Sequence, residues 1–317
     1  MLSLKKAYIV IIILLVILIV LIGIFSFRRS QLLYLYRTEP LPENDRNDEV
    51  VISETEVSEV VEEVDQIRED KIEKKDISFL ILGLDTRQDN YSGRSDVVIL
   101  VDINHDKRSI KLISFMRDLY VEIKDHGQTK LGHAYAYGRE KLAKETLENN
   151  FGVAVDEYIV LNFEDVVDIV DAMGGVELDV TRAESSQVSG IDTEGTYLLN
   201  GTQALQYVRI RNVGNGDFER TGRQRILLEK MMAYGGNLDN ESLLYFIGEV
   251  YPLIETSFDL DEIYEQLESD GEGDYHVSSM GIPFDNHISE QYIKGIYYLV
   301  IEDFELLKND ISEFLNN

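Results

Sequence analysis

The sequence predicts an α/β domain, an α/β/α sandwich with a central mixed sheet, preceded by an N-terminal transmembrane helix. Three observations support this architecture. The chain opens with a long apolar run, continues through an acidic stretch, and then alternates short apolar strand patterns with helical patterns. Residues 77–317 contain no internal repeat, and we expect them to form one domain.

The apolar run extends from Ala7 to Phe27. It is long enough to cross roughly 30 Å of hydrocarbon as a helix. A cleaved signal peptide is the alternative, but Ser26-Phe-Arg-Arg-Ser30 offers no small-residue cleavage site and the run exceeds the usual apolar core. We therefore expect a cytoplasmic tail at residues 1–6 and an uncleaved signal anchor at residues 7–27. The rest of this single-pass protein would then face the outside of the plasma membrane.

Residues 28–76 have the composition of a solvated stalk. They are rich in acidic residues, Val and Asn, and no aromatic residue follows Tyr36. Such a segment cannot build a hydrophobic core. The alternative is a short amphipathic helix through which copies of the chain self-associate, because apolar residues recur at helical spacing at Val57, Val60, Val61, Val64 and Ile67.

Apolar runs typical of buried strands open the domain and recur along it. A polar turn, His105 to Arg108, separates the second run from the third and predicts a hairpin. The predicted strands are Ile77–Gly83, Asp96–Asp102, Ser109–Phe115, Glu157–Asn162, Val176–Val180 and Tyr275–Ile282. The predicted helices are Lys141–Phe151, Phe163–Met173, Leu243–Ile254, Asp259–Leu267 and Tyr298–Leu315.

Composition excludes several functions. The net charge of −29 argues against nucleic-acid binding, which needs a basic surface to displace counterions. The chain has no cysteine, so disulfides, zinc–thiolate sites and cysteine nucleophiles are excluded.

Charged residues stand where predicted strands begin and end. Asp85 and Arg87 follow the first strand, Arg94 and Asp96 open the second, and Arg117-Asp118 follows the third. Ligands of α/β folds bind at strand ends, and carboxylates suit Mg²⁺ when phosphate oxygens complete its shell. Each pair alone could be a turn aspartate with a solvated arginine. Their recurrence at three strand ends favours a phosphate and metal site.

A second charged feature is the arginine-rich stretch Gln206–Arg225, which contains five arginines in a chain with 30 Lys plus Arg and 59 Asp plus Glu. We predict that Tyr207–Arg211 is a strand. On a strand Arg209 and Arg211 would point to the same face, because side chains two apart do so.

After a glycine turn, a helix is predicted to start at Asp217 or Thr221. Arg220 and Gln224 would share one face of it, with Arg223 close by. Guanidinium groups bind phosphate oxygens through paired hydrogen bonds, so a phosphate or pyrophosphate is the expected ligand. The alternative is that these arginines form surface salt bridges with the surplus carboxylates.

These features occur together with others in the order found in one known family. The chain resembles the LytR-CpsA-Psr family over essentially all of residues 77–235, and its anchor and stalk fit that family's usual layout. The matching motifs are Gly83-x-Asp-x-Arg87, Arg94-Ser-Asp96, Met116-Arg-Asp118, Lys130-Leu-Gly-His-Ala-Tyr-Ala-Tyr-Gly138, Asp171-Ala-Met-Gly-Gly-Val176, Leu199-Asn-Gly-Thr-Gln-Ala-Leu205 and the Tyr207 to Arg225 stretch. Many relatives have Pro where this chain has Met116.

The resemblance implies a membrane-anchored phosphotransferase of bacteria with a thick peptidoglycan wall. Such enzymes move a glycopolymer, of teichoic acid or capsular polysaccharide type, from a polyprenyl pyrophosphate carrier to a peptidoglycan hydroxyl, which forms a phosphodiester. Asp85 and Asp96 would hold Mg²⁺ or Mn²⁺, and an apolar tunnel would take the polyprenyl tail. The implied substrate-binding residues are Arg87, Arg94, Arg117, Arg209, Arg211, Arg220 and Gln224.

Within this resemblance Asp96, Arg117 and Asp118 are the candidate catalytic residues. Asp96 or Asp118 could act as the general base, and Asp217 would orient Arg211 or Arg220. Two other functions remain open. The same site could hydrolyse a polyprenyl pyrophosphate with water as acceptor, or the chain could be a non-catalytic lipid-binding or regulatory membrane protein.

Overall fold

The computed structural model describes residues 76–86, 91–214, 216–235, 238, 240–259, 275–283 and 288–317. Within these ranges no helix has the length and apolar character that crossing a membrane requires. The predicted tail, anchor and stalk lie outside the described residues, apart from Asp76 at the end of the stalk.

Strands and helices alternate along the described chain. The strands are β1 (Ile77–Leu84), β2 (Ser95–Asn104), β3 (Ser109–Phe115), β4 (Tyr120–Ile123), β5 (Gly127–Lys130), β6 (Glu157–Leu161), β7 (Val176–Val180), β8 (Gly195–Leu199), β9 (Glu255–Thr256), β10 (His276–Ile282), β11 (Ile288–Ile293) and β12 (Ile296–Ile301). The helices are α1 (His133–Phe151), α2 (Phe163–Ala172), α3 (Arg182–Ser185), α4 (Gly201–Val208), α5 (Asp217–Gly235), α6 (Asn240–Val250) and α7 (Phe304–Asn316).

One mixed sheet forms the centre of the described fold. Its strand order is β10-β3-β2-β1-β6-β9. β1 pairs antiparallel with β2 and parallel with β6, and β3 pairs antiparallel with β2 and parallel with β10. The predicted mixed sheet and the predicted β2–β3 hairpin are thereby confirmed.

The sheet separates two apolar cores. Phe79 and Ile81 of β1 belong to one core together with α2, α4, α5 and α6. Leu80 and Leu82 belong to the other, together with α1 and α7. Successive strand side chains point to opposite faces, so a continuous apolar run serves both cores at once. Helices consequently flank both faces of the sheet.

The strand predicted at Tyr207–Arg211 is wrong. Tyr207 and Val208 end α4, and Arg209 to Arg211 follow that helix without forming a strand. The first turn of α4 is capped by Asn200, whose side chain accepts a hydrogen bond from Gln203 N at 2.9 Å. The helix buries Ala204, Tyr207 and Val208, which follow helical spacing rather than strand alternation. Arg209 and Arg211 therefore share no strand face.

The terminal helix predicted at Tyr298–Leu315 is wrong in its first part. Ile296–Ile301 is strand β12, which forms a hairpin with β11, and α7 begins only at Phe304. The side chain of Asp303 caps that helix by accepting a hydrogen bond from Leu306 N at 2.9 Å. The helix predicted at Asp259–Leu267 lies outside the described residues from residue 260 onward.

Candidate active site

The start of β2 carries a β-bulge that exposes two polar side chains to one pocket. Gly83 pairs with Val97 and Leu84 with Ser95, so Asp96 is an extra residue in β2. A regular strand would point Ser95 and Asp96 to opposite faces, whereas both line the same polar pocket of about 310 Å³. The side chain of Asp96 is only 8% exposed. Local backbone geometry thus turns a carboxylate toward the end of β3.

Arg117, just after β3, meets this carboxylate. Its Nη1 donates a hydrogen bond to Asp96 Oδ1 at 2.5 Å. Gly132 allows the close approach: its N–H donates to Arg117 O at 2.9 Å and its carbonyl accepts from Ser95 N at 3.2 Å. A Cβ at this glycine would lie 2.6 Å from Ser95 O and 3.1 Å from Arg117 Cβ. The glycine of the Lys130-Leu-Gly-His motif therefore joins two strand ends.

Two more guanidinium groups reach the same carboxylate from the arginine-rich stretch. Arg211 Nη2 lies 3.5 Å and Arg220 Nη1 3.8 Å from Asp96 Oδ2. Asp217 forms a second centre, 2.8 Å from Arg220 Nη2, 3.6 Å from Arg117 Nε and 3.7 Å from Arg211 Nε. Three arginines and two aspartates from distant parts of the chain thus converge. The predicted grouping of Asp96, Arg117, Arg211 and Arg220 is found in the structure.

Burial changes the protonation behaviour of two of these arginines. Burial lowers the pKa of Arg220, whose side chain is 4% exposed and whose Nε is buried without a hydrogen-bond partner among the described residues. Burial also opposes the charge of Arg117, but pairing with Asp96, Asp118 and Asp217 outweighs it and raises the pKa. A buried guanidinium with an unused donor is suited to a ligand oxygen.

Lys130 and His133 extend the polar pocket, and neither was among the predicted site residues. Lys130 Nζ lies 2.5 Å from Asp118 Oδ1, and Arg117 Nε lies 3.3 Å from Asp118 Oδ2. Although burial works against ionisation, these partners lower the pKa of Asp118. Burial, together with Arg94 and Lys130, lowers the pKa of His133. Both residues belong to a motif that the sequence contains, so the signal that could have identified them was present.

Arg209 and Gln224 lie apart from the Asp96 cluster, contrary to the predicted common arginine face. Arg209 is the C-cap residue of α4, and its guanidinium stacks over the Phe163 ring at 4.3 Å. Both Arg209 and Gln224 line an apolar cavity rather than the polar pocket. The structure brings Arg117, Arg211 and Arg220 together but not Arg209.

That apolar cavity lies between the sheet and helices α2, α4 and α5. It encloses about 720 Å³, counting the part open to solvent, and its walls include Ile81, Leu161, Leu205 and Leu228. Gly83 and Val97 of the bulged strand ends also line it. The cavity is therefore adjacent to the Asp96 cluster, since Val97 directly follows Asp96.

The remaining predicted residues are more exposed or lie outside the described ranges. Asp85 and Arg94 are exposed at the ends of β1 and before β2, and Arg87 lies outside the described residues. Among the described side chains no group of three or more Asp, Glu, His or Cys residues could hold a metal. Asp85 and Asp96 offer hard oxygen donors, and Asp96 Oδ2 is the less engaged oxygen of its carboxylate. A magnesium ion fits here only with oxygen ligands from a substrate.

Comparison with known proteins identifies the family. A family model, described as the LytR_cpsA_psr family, matches residues 46–312. The chain belongs to the LytR_cpsA_psr family. Members with curated names include the polyisoprenyl-teichoic acid–peptidoglycan teichoic acid transferase TagU of Halalkalibacterium halodurans, which is 31% identical over 76% of this chain and 82% of its own length. TagU of Bacillus licheniformis is 31% identical over 75% of this chain and 78% of its own length.

Solved structures agree with this assignment. TagT bound to LIIa-WTA superposes with a TM-score of 0.64 and 25% identity, covering 77% of this chain and 92% of that one. The crystal structure of B. subtilis TagT gives a TM-score of 0.63 and 25% identity over the same shares. The mixed sheet with flanking helices is therefore the fold of LytR_cpsA_psr proteins.

Two features of this LytR_cpsA_psr chain concern its scaffold. Met116 donates its N–H to Ile282 O at 3.0 Å, a hydrogen bond that proline could not form, so the substitution extends the β3–β10 pairing. Arg223 is buried against Glu184, with Nε 2.6 Å from Glu184 Oε1. Arg225 donates to Ser114 Oγ. Arg223 therefore forms a buried ion pair rather than the surface salt bridge of the alternative prediction, and Arg225 bonds to a serine hydroxyl of β3.

Proposed function

We propose that this chain transfers a glycopolymer of teichoic acid type from a polyprenyl pyrophosphate carrier to a hydroxyl of peptidoglycan, forming a phosphodiester. The observation that carries the proposal is the position of the arginine cluster around Asp96 beside an apolar cavity. A lipid pyrophosphate has the same two parts, a dense negative charge and a long apolar tail. The names of the TagU relatives and the TagT complex with LIIa-WTA support this choice of substrate.

The apolar cavity would take the polyprenyl tail. Its walls are almost entirely aliphatic, and each buried CH₂ of a lipid contributes about 0.8 kcal/mol. Arg209 and Gln224 are its polar lining residues, together with Asn162. We assign Arg209 and Gln224 to the mouth of the cavity, where they would contact the phosphate next to the lipid. Both residues would therefore bind the substrate, as the sequence predicted.

The arginine cluster would hold the pyrophosphate. Arg117, Arg211 and Arg220 are already fixed by Asp96 and Asp217, so little reorganisation is needed when charge spreads over the phosphate oxygens. Arg211 is 46% exposed and can turn to a ligand, whereas Arg220 is buried. Arg94, exposed at the pocket rim, and Arg87 would add further positive charge. The chain supplies charge and position, which is most of what phosphoryl transfer requires.

Proton removal from the acceptor hydroxyl is assigned to Asp96. Asp118 is poorly suited to this role, because its pKa is lowered and both of its oxygens face cations. Asp96 Oδ2 lies 3.5 Å or more from the nearest guanidinium nitrogen, farther than either oxygen of Asp118 lies from its cationic partner, and is the oxygen left to contact the acceptor hydroxyl and a cation. Asp118 would instead position Lys130 and Arg117.

A divalent cation is part of the proposal. Mg²⁺, or Mn²⁺, would be held by Asp85 and Asp96 with phosphate oxygens, and would neutralise charge on the leaving lipid phosphate. Calorimetric titration with a soluble pyrophosphate analogue tests the proposed cation site without an activity assay. We expect Mg²⁺ to increase the affinity of the wild-type chain and of Asp118→Asn but not of Asp96→Asn. Equal gains in all three would contradict the assignment.

We further propose a location that brings the site to its substrates. Residues 7–27 would anchor the chain in the plasma membrane, with the amino terminus cytoplasmic and the catalytic domain at residues 77–317 outside the cell. Residues 28–76 would span the distance as a stalk and could mediate self-association. Cysteines introduced at exposed positions of the domain should react with an impermeant reagent on intact cells. Protection of these cysteines would contradict the orientation.

The decisive experiment incubates the chain with a lipid-pyrophosphate glycopolymer, Mg²⁺ and peptidoglycan fragments. Transfer predicts a mass increase on the fragment equal to the polymer phosphate. Release of polymer phosphate without that increase would identify a polyprenyl-pyrophosphate hydrolase instead. Binding of the lipid without any turnover would indicate the non-catalytic alternative.

A further inference from the structure

The two cavities of the active site lie beside different apolar cores of the protein. The apolar cavity is lined by residues of the core that contains Ile81 and Leu205. The polar pocket is lined by Lys130, Gly132 and His133, and their neighbours in sequence, Leu131 and Ala134, belong to the other core. In a displacement at phosphorus the attacking and leaving oxygens lie roughly in line. If the lipid phosphate leaves toward the apolar cavity, the acceptor approaches through the polar pocket.

An exposed aromatic surface borders that pocket. We define it as the aromatic rim, formed by His126, His133 and Tyr137. His126 and Tyr137 stack with ring centroids 4.3 Å apart and an interplanar angle of 14°, and the His133 ring lies 5.8 Å from Tyr137. His133 also lines the polar pocket and its Nδ1 is 2.9 Å from Thr129 Oγ1. The rim therefore continues directly from the site of reaction.

The rim is not part of the apolar core. Tyr137 is 47% exposed, whereas Tyr135, two residues earlier, is 1% exposed. The helical geometry of α1 breaks immediately after Tyr137, at Gly138 and Arg139. The Arg139 guanidinium is held by Glu255 at 2.6 Å and by Tyr91 O at 3.0 Å, which fixes the break. The segment His133–Tyr137 is thus held as a separate turn beside the pocket, with a large ring left in solvent.

We propose that the aromatic rim is the subsite for the acceptor glycan, with Tyr137 stacking on a sugar ring of a peptidoglycan strand. A pyranose presents an apolar C–H face and polar hydroxyl edges, which match an aromatic face beside imidazole and cationic donors. Lys130 and Arg94 at the same pocket supply donors for the hydroxyl edge. This inference rests on the proposed function and specifies where its acceptor binds.

The test uses Tyr137→Ala and Tyr137→Phe in the full chain, with Tyr245→Ala as a matched control. Tyr245 is 71% exposed on α6, which packs on the other side of the sheet. Binding of a purified peptidoglycan disaccharide–peptide fragment is measured by calorimetry. We expect Tyr137→Ala to weaken binding about fivefold to tenfold, from the loss of one aromatic contact, and Tyr137→Phe and Tyr245→Ala to bind like wild type. Thermal unfolding confirms that all three variants are folded.

Kinetics separate this inference from the proposed function. Tyr137→Ala should raise the KM for the fragment by a similar factor and leave the KM for the lipid donor unchanged. Fragment binding that is equal in wild type and Tyr137→Ala would overturn the rim assignment, whatever the transfer assay shows. If wild type binds the fragment through Tyr137 but transfers no polymer to it, the glycan subsite stands and the proposed transfer reaction is wrong.

Discussion

Asp96 Oδ1 accepts a 2.5 Å hydrogen bond from Arg117 Nη1, and this pair joins the bulged start of β2 to the turn that follows β3. The same carboxylate faces Arg211 and Arg220, which lie more than one hundred positions further along the chain. Asp96 is thus the centre on which the candidate active site is assembled.

Replacing Arg117 by Ala should lower kcat for polymer transfer by about 10²-fold to 10³-fold, because a preorganised donor to the phosphate oxygens is lost. The KM for the lipid donor should change less. Arg182→Ala is the matched control, since Arg182 is exposed on the short helix α3. Equal activities of the two variants would contradict a role for Arg117 in the transition state.

The backbone at Gly132 packs so closely against Ser95 and Arg117 that the site should not tolerate one added methyl group. In Gly132→Ala the new Cβ meets Ser95 O at 2.6 Å and Arg117 Cβ at 3.1 Å, so Ser95 or Arg117 must move. We expect a transfer rate at least tenfold lower, because a displacement of about 1 Å at reacting groups can cost 10²-fold. Gly222→Ala is the control, because a Cβ there has no atom within 4 Å apart from its chain neighbours and the backbone of its own helix. Unchanged activity in Gly132→Ala would show that the strand ends adjust freely.

Filling the apolar cavity should discriminate between lipid lengths. Leu205→Trp places a larger side chain in the cavity wall and should raise the KM for a donor with a long polyprenyl chain by about tenfold. A donor with a short prenyl chain should be affected much less, because it occupies less of the cavity. If both donors respond equally, the cavity does not hold the tail.

The buried pair of Arg223 and Glu184 should contribute to stability rather than chemistry. The two side chains are 4% and 7% exposed. Glu184→Gln leaves a buried guanidinium without its counter-charge and should lower the free energy of unfolding by about 3 kcal/mol. Glu184→Gln combined with Arg223→Met should recover much of this loss, as measured by urea unfolding. A double variant as unstable as the sum of both single variants would contradict the pairing.

Asp165 should make stability depend on pH. Burial raises the pKa of this carboxyl to about 6, although its hydrogen bond from Asn162 N at 2.6 Å opposes the shift. The folded state therefore favours the protonated form, and the contribution to stability is complete below the unfolded pKa of 3.8 and lost as the pH rises through about 6.

Asp165→Asn removes this titration and can keep the acceptor for Asn162 N. We expect the variant to be more stable than wild type at pH 7 by up to about 3 kcal/mol, with the difference closing toward pH 4. Urea unfolding of both proteins between pH 4 and pH 8 measures this difference in the free energy of unfolding. A difference that stays constant over this range would contradict the raised pKa.

Local sequence patterns predicted most of the sheet correctly. The runs that became β1, β2, β3 and β6 are largely apolar on both sides, as is typical of central strands in a helix-covered sheet. The same signal failed where apolar runs were short. Tyr207–Arg211 contains the last two residues of a helix and the segment that follows it, and Ile296–Ile301 became a strand, because tertiary packing decides the state of a short apolar segment.

By itself, the sequence determined the chemistry of the site: which strand ends carry carboxylates and arginines, that Gly132 lies between Lys130 and His133, and that the ordered motifs indicate one family. Only the tertiary structure decided which of these residues meet. Arg211 and Arg220 face Asp96 while Arg209 stacks on Phe163, and the aromatic rim lies beside the polar pocket. The reason is physical. A one-residue bulge, the end of a helix and pairing between distant segments decide where these side chains point, and none of the three produces a periodic pattern of residues in the sequence.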